Sequence, residues 1–202
     1  MNPITSPVPL SSRYATVIEE RLHALRIQTD HIIPRRGPFV LEIGSGHGHF
    51  LTAYAAAHPK KICVGIDLVG ERVARATRKR DRAALPNLHF VRADARLFLE
   101  SLRADARIAA VFILFPDPWP KLRHHKHRIL QPSFLETLAR QATPECRLYF
   151  RTDFDPYFDE ARAILAACPN WRLADEPWPF EFVTVFQQRA PSFRSFVARH
   201  IS

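Results

Sequence analysis

One segment decides the fold, an apolar run followed at once by a glycine-rich turn: Phe39-Val40-Leu41-Glu42-Ile43-Gly44-Ser45-Gly46-His47-Gly48. Five residues of mainly β-branched, aromatic and apolar character are typical of a buried strand. The three alternate glycines allow a tight turn and a close approach of the backbone to a ligand at the start of a helix. The segment therefore predicts a strand, a turn and a helix that continues to about His58.

The same order of strand and helix recurs along the chain. We predict five strands from apolar runs, at residues 39–43, 62–66, 88–92, 108–115 and 147–152. Helical patterns surround them at residues 14–33, 49–58, 69–85, 95–102, 132–141 and 156–167. Three more short strands are predicted at 171–174, 182–188 and 193–200. This alternation predicts an α/β fold with a parallel sheet and helices on both of its faces.

The chain is strongly basic, with a net charge of +9 and an isoelectric point near 10.1. Most of its cations are arginines, which suit phosphate groups and base stacking better than lysines do. A polyanionic partner is therefore favoured. A membrane surface is also anionic, but no helix with an apolar face opposite its charges stands out, so no membrane association is expected.

Residues 1–13 contain three prolines and are expected to form a flexible arm without an apolar signal sequence. Residues 14–202 carry no internal repeat or linker and are expected to form a single domain. The cysteines, Cys63, Cys146 and Cys168, lack CxxC spacing and lie among apolar residues. They are predicted to be buried free thiols of a cytoplasmic protein.

Acidic residues recur where the predicted strands end, at Glu42, Asp67, Asp94, Asp117 and Asp153. In open parallel sheets, ligands bind at the carboxyl ends of the strands. The recurrence therefore predicts a ligand site at this edge.

Three of these acids and two glycines suggest what the ligand is. Asp67, about 20 residues beyond the glycine turn, can accept ribose hydroxyls, or it can be a helix N-cap. Asp94 can contact an adenine amino group, or it can cap the helix that follows. Glu42, next to Gly44 and Gly46, is expected to face a cationic group, such as the amino group or sulfonium of S-adenosylmethionine. The G-x-G-x-G spacing differs from the dinucleotide motif, so a nicotinamide cofactor is disfavoured.

The segment Phe115–Arg128 reads Phe-Pro-Asp-Pro-Trp-Pro-Lys-Leu-Arg-His-His-Lys-His-Arg. Its prolines stop the strand and are expected to hold Phe115, Asp117 and Trp119 in extended geometry. A fixed carboxylate, an aromatic ring and a cationic tail together suggest a nucleic-acid base and its phosphates. A proline-rich turn with a solvated basic face is the alternative.

Two other groups of residues are treated as surface features. The three histidines of the basic tail lack further ligands at zinc spacing, so no metal site is predicted. Cations form a stripe on the helix predicted at 69–85, at Arg72, Arg75, Lys79 and Arg82. Such a stripe is most often a solvated face, and contact with RNA is the alternative.

Over residues 39–189 the chain resembles bacterial tRNA (guanine-N7-)-methyltransferases. Its most specific match is 115–128, similar to the family run F-P-D-P-W-x-K-x-R-H-x-K-x-R, and residues 41–48 match the family's cofactor loop. The resemblance implies a Rossmann-like class I methyltransferase fold, with a doubly wound, mostly parallel seven-stranded sheet whose last strand is antiparallel. Residues 14–202 would then be the methyltransferase domain.

The resemblance also implies roles for particular residues. The expected enzyme transfers a methyl group from S-adenosylmethionine to N7 of a guanine in the tRNA variable loop, as a monomer or weak homodimer without a metal. Asp117 is the predicted catalytic carboxylate. The cofactor pocket would be formed by Glu42, Gly44, Gly46, Asp67, Asp94 and Asp117. The RNA substrate would face Lys121, Asp153, Thr184 and Gln187, and RNA would contact Arg123, His124, His125, Lys126, His127 and Arg128.

Three positions depart from the family pattern. Asp67 stands where the family usually has Glu, Gln187 also stands where Glu is usual, and Val185 stands where Lys is frequent. A carboxylate can accept from N1–H and N2–H of guanine together, whereas the NH2 of an amide cannot accept. The Gln187 departure keeps open a tRNA-binding protein with weak or lost activity. A methyltransferase of adenine or cytosine amino groups is the other alternative, because such enzymes also have an acid- or Asn-Pro-aromatic motif after the fourth strand.

Overall fold

A computed structural model describes residues 10–184, 186–190 and 192–201. Its seven strands form one sheet in the order β3-β2-β1-β4-β5-β7-β6. The strands are β1 (Phe39–Ile43), β2 (Ile62–Asp67), β3 (Leu88–Arg92), β4 (Ile108–Leu114), β5 (Ala142–Thr152), β6 (Trp171–Ala174) and β7 (Arg194–His200). β1 to β5 pair in parallel, and β7 runs antiparallel to both β5 and β6. The predicted doubly wound, mostly parallel sheet with an antiparallel last strand is confirmed.

Six α-helices cover the two faces of the sheet in the described part of the chain. They are α1 (Leu10–Ile32), α2 (His49–Ala57), α3 (Gly70–Arg82), α4 (Ala95–Ser101), α5 (Pro132–Gln141) and α6 (Asp155–Ala167). Buried side chains of α1, α4, α5 and α6 share one core cluster, and those of α2 and α3 share the other. Across residues 10–184, 186–190 and 192–201, no helix is both long and apolar enough to cross a membrane.

Strand β1 lies at the centre of this arrangement. All five of its residues are buried, and it pairs with β2 on one side and β4 on the other. Leu41 and Ile43 belong to one core cluster, whereas Val40 belongs to the other. This alternation is the two-residue period of a strand that is covered on both faces. The three cysteines are buried and free, as predicted.

Some predicted boundaries and one predicted strand are corrected. Helix α1 begins at Leu10 instead of residue 14, so residues 10–13 belong to the helix, and the rest of the predicted arm lies outside the described residues. The described part of 182–188 contains no strand and ends in a 3₁₀ turn, Gln187–Arg189. Strand β7 already occupies the free edge of β5, and Phe182 packs on the core face instead.

The glycine turn links β1 to α2 through backbone geometry that favours glycine. Gly44, Gly46 and Gly48 all have positive φ, at 73°, 52° and 70°. A Cβ on Gly48 would lie 2.6 Å from the ring of Phe90 and 2.8 Å from the Cβ of Ala76. Glycine is therefore required at position 48 for two reasons, the left-handed φ and the space between two packed elements.

We expect Gly48→Ala to lower the free energy of unfolding by about 3 kcal/mol, because backbone strain and overpacking add. Gly37→Ala is the matched control, since Gly37 also has a positive φ, 82°, but a Cβ there meets nothing within 4 Å. Gly37→Ala should lower the free energy of unfolding by about 1 kcal/mol, because it introduces backbone strain without a steric clash. Urea unfolding measures both, and equal losses would show that the contact with Phe90 is unimportant.

Candidate functional site

A cavity of about 290 Å³ lies where β1, β2, β3 and β4 end. It contains four of the six residues predicted to bind a cofactor, namely Gly44, Asp67, Asp94 and Asp117. Apolar side chains form much of its wall, among them Ile43, Ile66, Leu68, Ile113 and Ile129. An apolar cavity with a few converging polar groups at this edge of an α/β sheet is the usual form of a small-molecule site.

Asp67, the last residue of β2, holds the glycine turn in place. Its Oδ2 accepts from the N–H of Gly46 at 2.9 Å, and its Oδ1 accepts from the N–H of Val69 at 2.8 Å. Val69, not Asp67, is the N-cap of α3. A carboxylate has about four acceptor sites, so both oxygens keep capacity for a ligand hydroxyl.

Asp94 caps α4, which is the alternative that the sequence left open. Its Oδ1 accepts from the N–H of Arg96 at 2.9 Å and of Leu97 at 3.3 Å. No partner to its other oxygen is present among the described residues. Contact of Asp94 with an adenine amino group stays a prediction, and it is compatible with the cap.

Glu42 is not among the residues that line the cavity, and its predicted contact with a cofactor stays a prediction. It follows the alternation of β1, so its side chain lies on the Val40 side while Ile43 lines the cavity. The residue is only 4% exposed, and its Oε2 is buried without a hydrogen-bond partner. Burial raises the pKa of the Glu42 carboxyl to about 8, and the charge of Asp67 adds to this effect. A hydrogen bond from the N–H of Leu51 has a smaller effect in the opposite direction. Glu42 is therefore mostly protonated at pH 7.

This raised pKa makes stability depend on pH. The folded carboxyl holds its proton up to about pH 8, whereas the ordinary value is 4.5. The unfolded chain therefore binds fewer protons between these values, and stability falls as pH rises, by about 1.4 kcal/mol per pH unit. We expect wild type to lose stability relative to Glu42→Gln from pH 5 to pH 8.

Urea unfolding at several pH values measures this difference. Glu100→Gln is the control, because Glu100 is exposed and its replacement should leave the pH profile parallel to that of wild type. Parallel profiles for wild type and Glu42→Gln would show that Glu42 titrates normally.

Asp117 projects from a strained segment after β4. Phe115 and Trp119 have positive φ, at 50° and 44°, which corrects the predicted extended geometry of both. The N–H of Phe115 donates to the carbonyl of Arg151 at 2.7 Å, which ties the segment to β5. The Asp117 side chain is exposed and makes no hydrogen bond or ion pair with the described residues. Its carboxylate is therefore free to accept from a ligand at the cavity.

Aromatic contacts join this segment to the one predicted to face RNA. The ring of Phe115 lies 5.1 Å from that of Phe186 and 5.9 Å from that of Phe193. The guanidinium of Arg151 lies 4.5 Å from the ring of Phe193 and 4.1 Å from that of Trp178. The loop before β7 is thereby packed against the Pro-Asp-Pro segment.

Arg151 was not predicted as a site residue, yet it organises this loop. Its side chain is 5% exposed and donates two hydrogen bonds to Glu181, at 2.9 and 3.2 Å, and one to Ser195 at 2.9 Å. Its Nη1 also lies 3.4 Å from Oε1 of Gln187. Because arginine can only donate, the amide oxygen of Gln187 faces Arg151. No local sequence pattern marks Arg151, because its partners Glu181 and Ser195 lie 30 and 44 residues further along the chain.

The residues predicted to bind substrate do not line the cavity itself. Lys121 and Asp153 are exposed, and Oγ1 of Thr184 accepts from the N–H of Gln187 at 3.1 Å. The placement of Lys121, Asp153, Thr184 and Gln187 leaves their predicted roles untested.

The basic tail forms a 3₁₀ turn, Leu122–His127, beside Trp119. The Trp119 ring lies 5.1 Å from that of His127, which lines the cavity, and 5.8 Å from that of His124. Arg123 and Lys126 are exposed, and Nδ1 of His125 lies 3.0 Å from Oε2 of Glu160. No three His, Cys, Asp or Glu side chains in the described ranges are placed to hold a metal ion.

Arg128 is the exception in this tail, and its predicted contact with RNA is wrong. Its side chain is fully buried, forms an ion pair with Glu160 and donates to the carbonyl of Pro118 at 2.9 Å. Its guanidinium also lies 4.7 Å from the ring of Tyr157. Arg128 therefore fastens the tail to α6 and cannot reach a phosphate.

We expect Arg128→Met to lower the free energy of unfolding by roughly 2 kcal/mol, because it removes the ion pair with Glu160 and leaves the carbonyl of Pro118 without its donor. Arg123→Gln, five residues earlier on the exposed side, should change it by less than about 0.5 kcal/mol. Thermal or urea unfolding distinguishes the two. A stable Arg128→Met variant would contradict the structural role.

Solved structures resemble this chain in fold. A crystal structure of TrmN from Thermus thermophilus matches with a TM-score of 0.60 and 20% identity, over 89% of this chain and 48% of that one. A structure of an antibiotic-related methyltransferase matches with a TM-score of 0.58 and 22% identity, over 87% of this chain and 92% of that one. At these identities the likeness concerns the fold alone.

Sequence comparison is more specific. The family described as "Putative methyltransferase" matches residues 36–190. The tRNA (guanine-N(7)-)-methyltransferase of Caulobacter vibrioides is 34% identical over 83% of this chain and 76% of its own length. The enzyme of the same name from Chromohalobacter salexigens is 32% identical over 75% of this chain and 62% of its own length. The one from Leifsonia xyli is 35% identical over 71% of this chain and 63% of its own length. This chain therefore spans less than two thirds of the length of these two relatives. The chain belongs to the tRNA (guanine-N(7)-)-methyltransferase family.

Proposed function

We propose that this protein transfers a methyl group from S-adenosylmethionine to N7 of a guanine in tRNA. The observation that carries the proposal is the free carboxylate of Asp117 at the mouth of the cavity, within the segment that matches the family most specifically. Family membership and the names of the relatives support the reaction. The net charge of +9 supports an RNA substrate.

The residues of the cavity fit S-adenosylmethionine. A Cβ on Gly44 or Gly46 would meet nothing within 4 Å, so the backbone is open to a ligand there. Asp67 and Asp94 would hold the ribose and the adenine, with apolar walls for the base. In and next to the glycine turn, Ser45 Oγ and Glu42 Oε2 are buried and have no hydrogen-bond partner among the described residues, which leaves two polar groups available to a ligand at the turn. The cofactor supplies an electrophilic methyl group.

This chain's own contribution is positioning and electrostatics. N7 of guanine already has a lone pair, so no residue need remove a proton before it reacts. Methylation leaves a positive charge on the base, which the carboxylate of Asp117 would stabilise as it develops. The ring of Phe115, two residues before Asp117, packs on those of Phe186 and Phe193 and so keeps the Asp117 segment close to Gln187. Alignment of the base would supply much of the rate enhancement.

Asp117→Ala should reduce 7-methylguanosine formation at least about a hundredfold, because a single preorganised electrostatic group contributes about this much. The unfolding midpoint should not change, since Asp117 has no partner in the described protein. Glu136→Ala, which removes an exposed carboxylate from α5, is the control and should keep full activity. Wild-type turnover by Asp117→Ala would exclude this role.

The product identifies the reaction. Protein is incubated with labelled S-adenosylmethionine and bulk tRNA, and the RNA is digested to nucleosides. Labelled 7-methylguanosine supports the proposal, and a labelled exocyclic amine of adenine or cytosine supports the amino-methyltransferase alternative. Binding of tRNA without label identifies a binding protein, which is the alternative that the Gln187 departure motivates.

A further inference from the structure

A second cationic surface lies outside the cavity, between α3 and the turn before α2. A depression of about 380 Å³ there is lined only by arginine, lysine and histidine, and we call its lining the α3 patch: His47, His49, Arg75, Arg78, Lys79 and Arg82. No acidic or apolar side chain is part of this lining. The composition is that of an anion-binding surface.

The positive charge of the α3 patch is mostly uncompensated. Arg75 is paired with Glu71 at 2.5 Å, and the other acid of α3, Asp81, is paired with Arg80 outside the patch. Arg78 and Arg82 are exposed and have no ion pair with any residue that the structure describes. Two guanidinium groups are thus available to a polyanion without breaking an existing contact.

The cations lie close enough to oppose one another's charge. Lys79 donates from Nζ to the carbonyl of His47 at 3.0 Å, which holds it beside the glycine turn. The pKa of Lys79 is lowered by burial and, to a smaller extent, by the charge of Arg82. The pKa of His49 is lowered by burial and, to a smaller extent, by the charges of Lys79 and His47. A bound anion would relieve this repulsion.

The patch is continuous with the cavity through α3. Arg72 lines the cavity, and Arg82 follows it by ten residues, which corresponds to about 15 Å along the helix. That length covers several consecutive phosphates of a nucleic-acid strand. The basic tail, at Leu122–His127, follows β4, whereas α3 follows β2, so the two cationic surfaces flank β1 in the sheet order.

We propose that the α3 patch binds the phosphate backbone of the tRNA substrate, at a segment other than the one that meets the basic tail. This inference rests on the proposed function. Phosphate contacts position a nucleic acid without reading its sequence. Contacts on both sides of the cavity would fix the orientation of the tRNA over the site. A membrane surface fits less well, because the patch offers no apolar side chains to insert.

The test compares two double variants of the full-length chain. Arg78→Gln/Arg82→Gln removes two charges from the patch, and Arg140→Gln/Arg172→Gln removes two exposed charges from α5 and β6. Affinity for bulk tRNA is measured by filter binding from 50 to 200 mM salt. When two phosphate contacts are lost, the slope of the logarithm of the association constant against the logarithm of the salt concentration becomes shallower by about 1.5. Between 50 and 200 mM salt, the affinity of the patch variant should therefore fall about tenfold less than that of wild type.

The expected result is a shallower slope for the patch variant only, a raised KM for tRNA, and unchanged S-adenosylmethionine binding and turnover at saturating tRNA. Equal slopes for the two variants would overturn the inference. If wild type then forms 7-methylguanosine, the proposed function still stands. If wild type binds tRNA without methylating it, the proposed function fails while the slopes still decide the patch. Absence of tRNA binding by wild type overturns both.

Discussion

The site depends on the carboxylate of Asp67, which joins the ends of two neighbouring strands. It accepts from the N–H of Gly46 in the turn after β1 and from the N–H of Val69 before α3. Hydrogen bonds to a charged acceptor contribute about 1.5–3 kcal/mol each, so Asp67 can hold the left-handed glycine turn in one conformation. The positions of the glycine turn and of the start of α3, which both contribute to the cavity wall, depend on this junction.

A second junction, made by two arginines, holds the segments around Gln187 and Trp119 in place. Arg151 and Arg128 are both buried, and each is satisfied by an acidic partner and by aromatic rings. Arg151 holds the loop that contains Gln187, and Arg128 holds the basic tail. In a chain whose arginines are otherwise suited to phosphate, these two are structural. Under the proposed function, the cations available to RNA are the exposed ones of the tail and, by our inference, those of the α3 patch.

Charge around the cavity is distributed in a way that suits a nucleotide cofactor and a polyanionic substrate. Acidic side chains, Asp67, Asp94 and Asp117, lie at the cavity, while cations lie on both sides of it. Glu42 is mostly protonated at neutral pH, because burial raises its pKa to about 8. The repulsion between Glu42 and Asp67 is thereby limited before any ligand binds.

The sequence by itself determined the alternation of strands and helices, the glycine turn and the row of acids at one sheet edge, because these follow from local periodicity and from topology. It also placed Asp67, Asp94 and Asp117 together, since parallel strands end at the same edge. Only the tertiary structure decided the burial of Glu42 and Arg128 and the part played by Arg151. Those outcomes depend on which elements pack across the chain, as when Glu160 of α6 meets Arg128, and no local pattern records such a pairing.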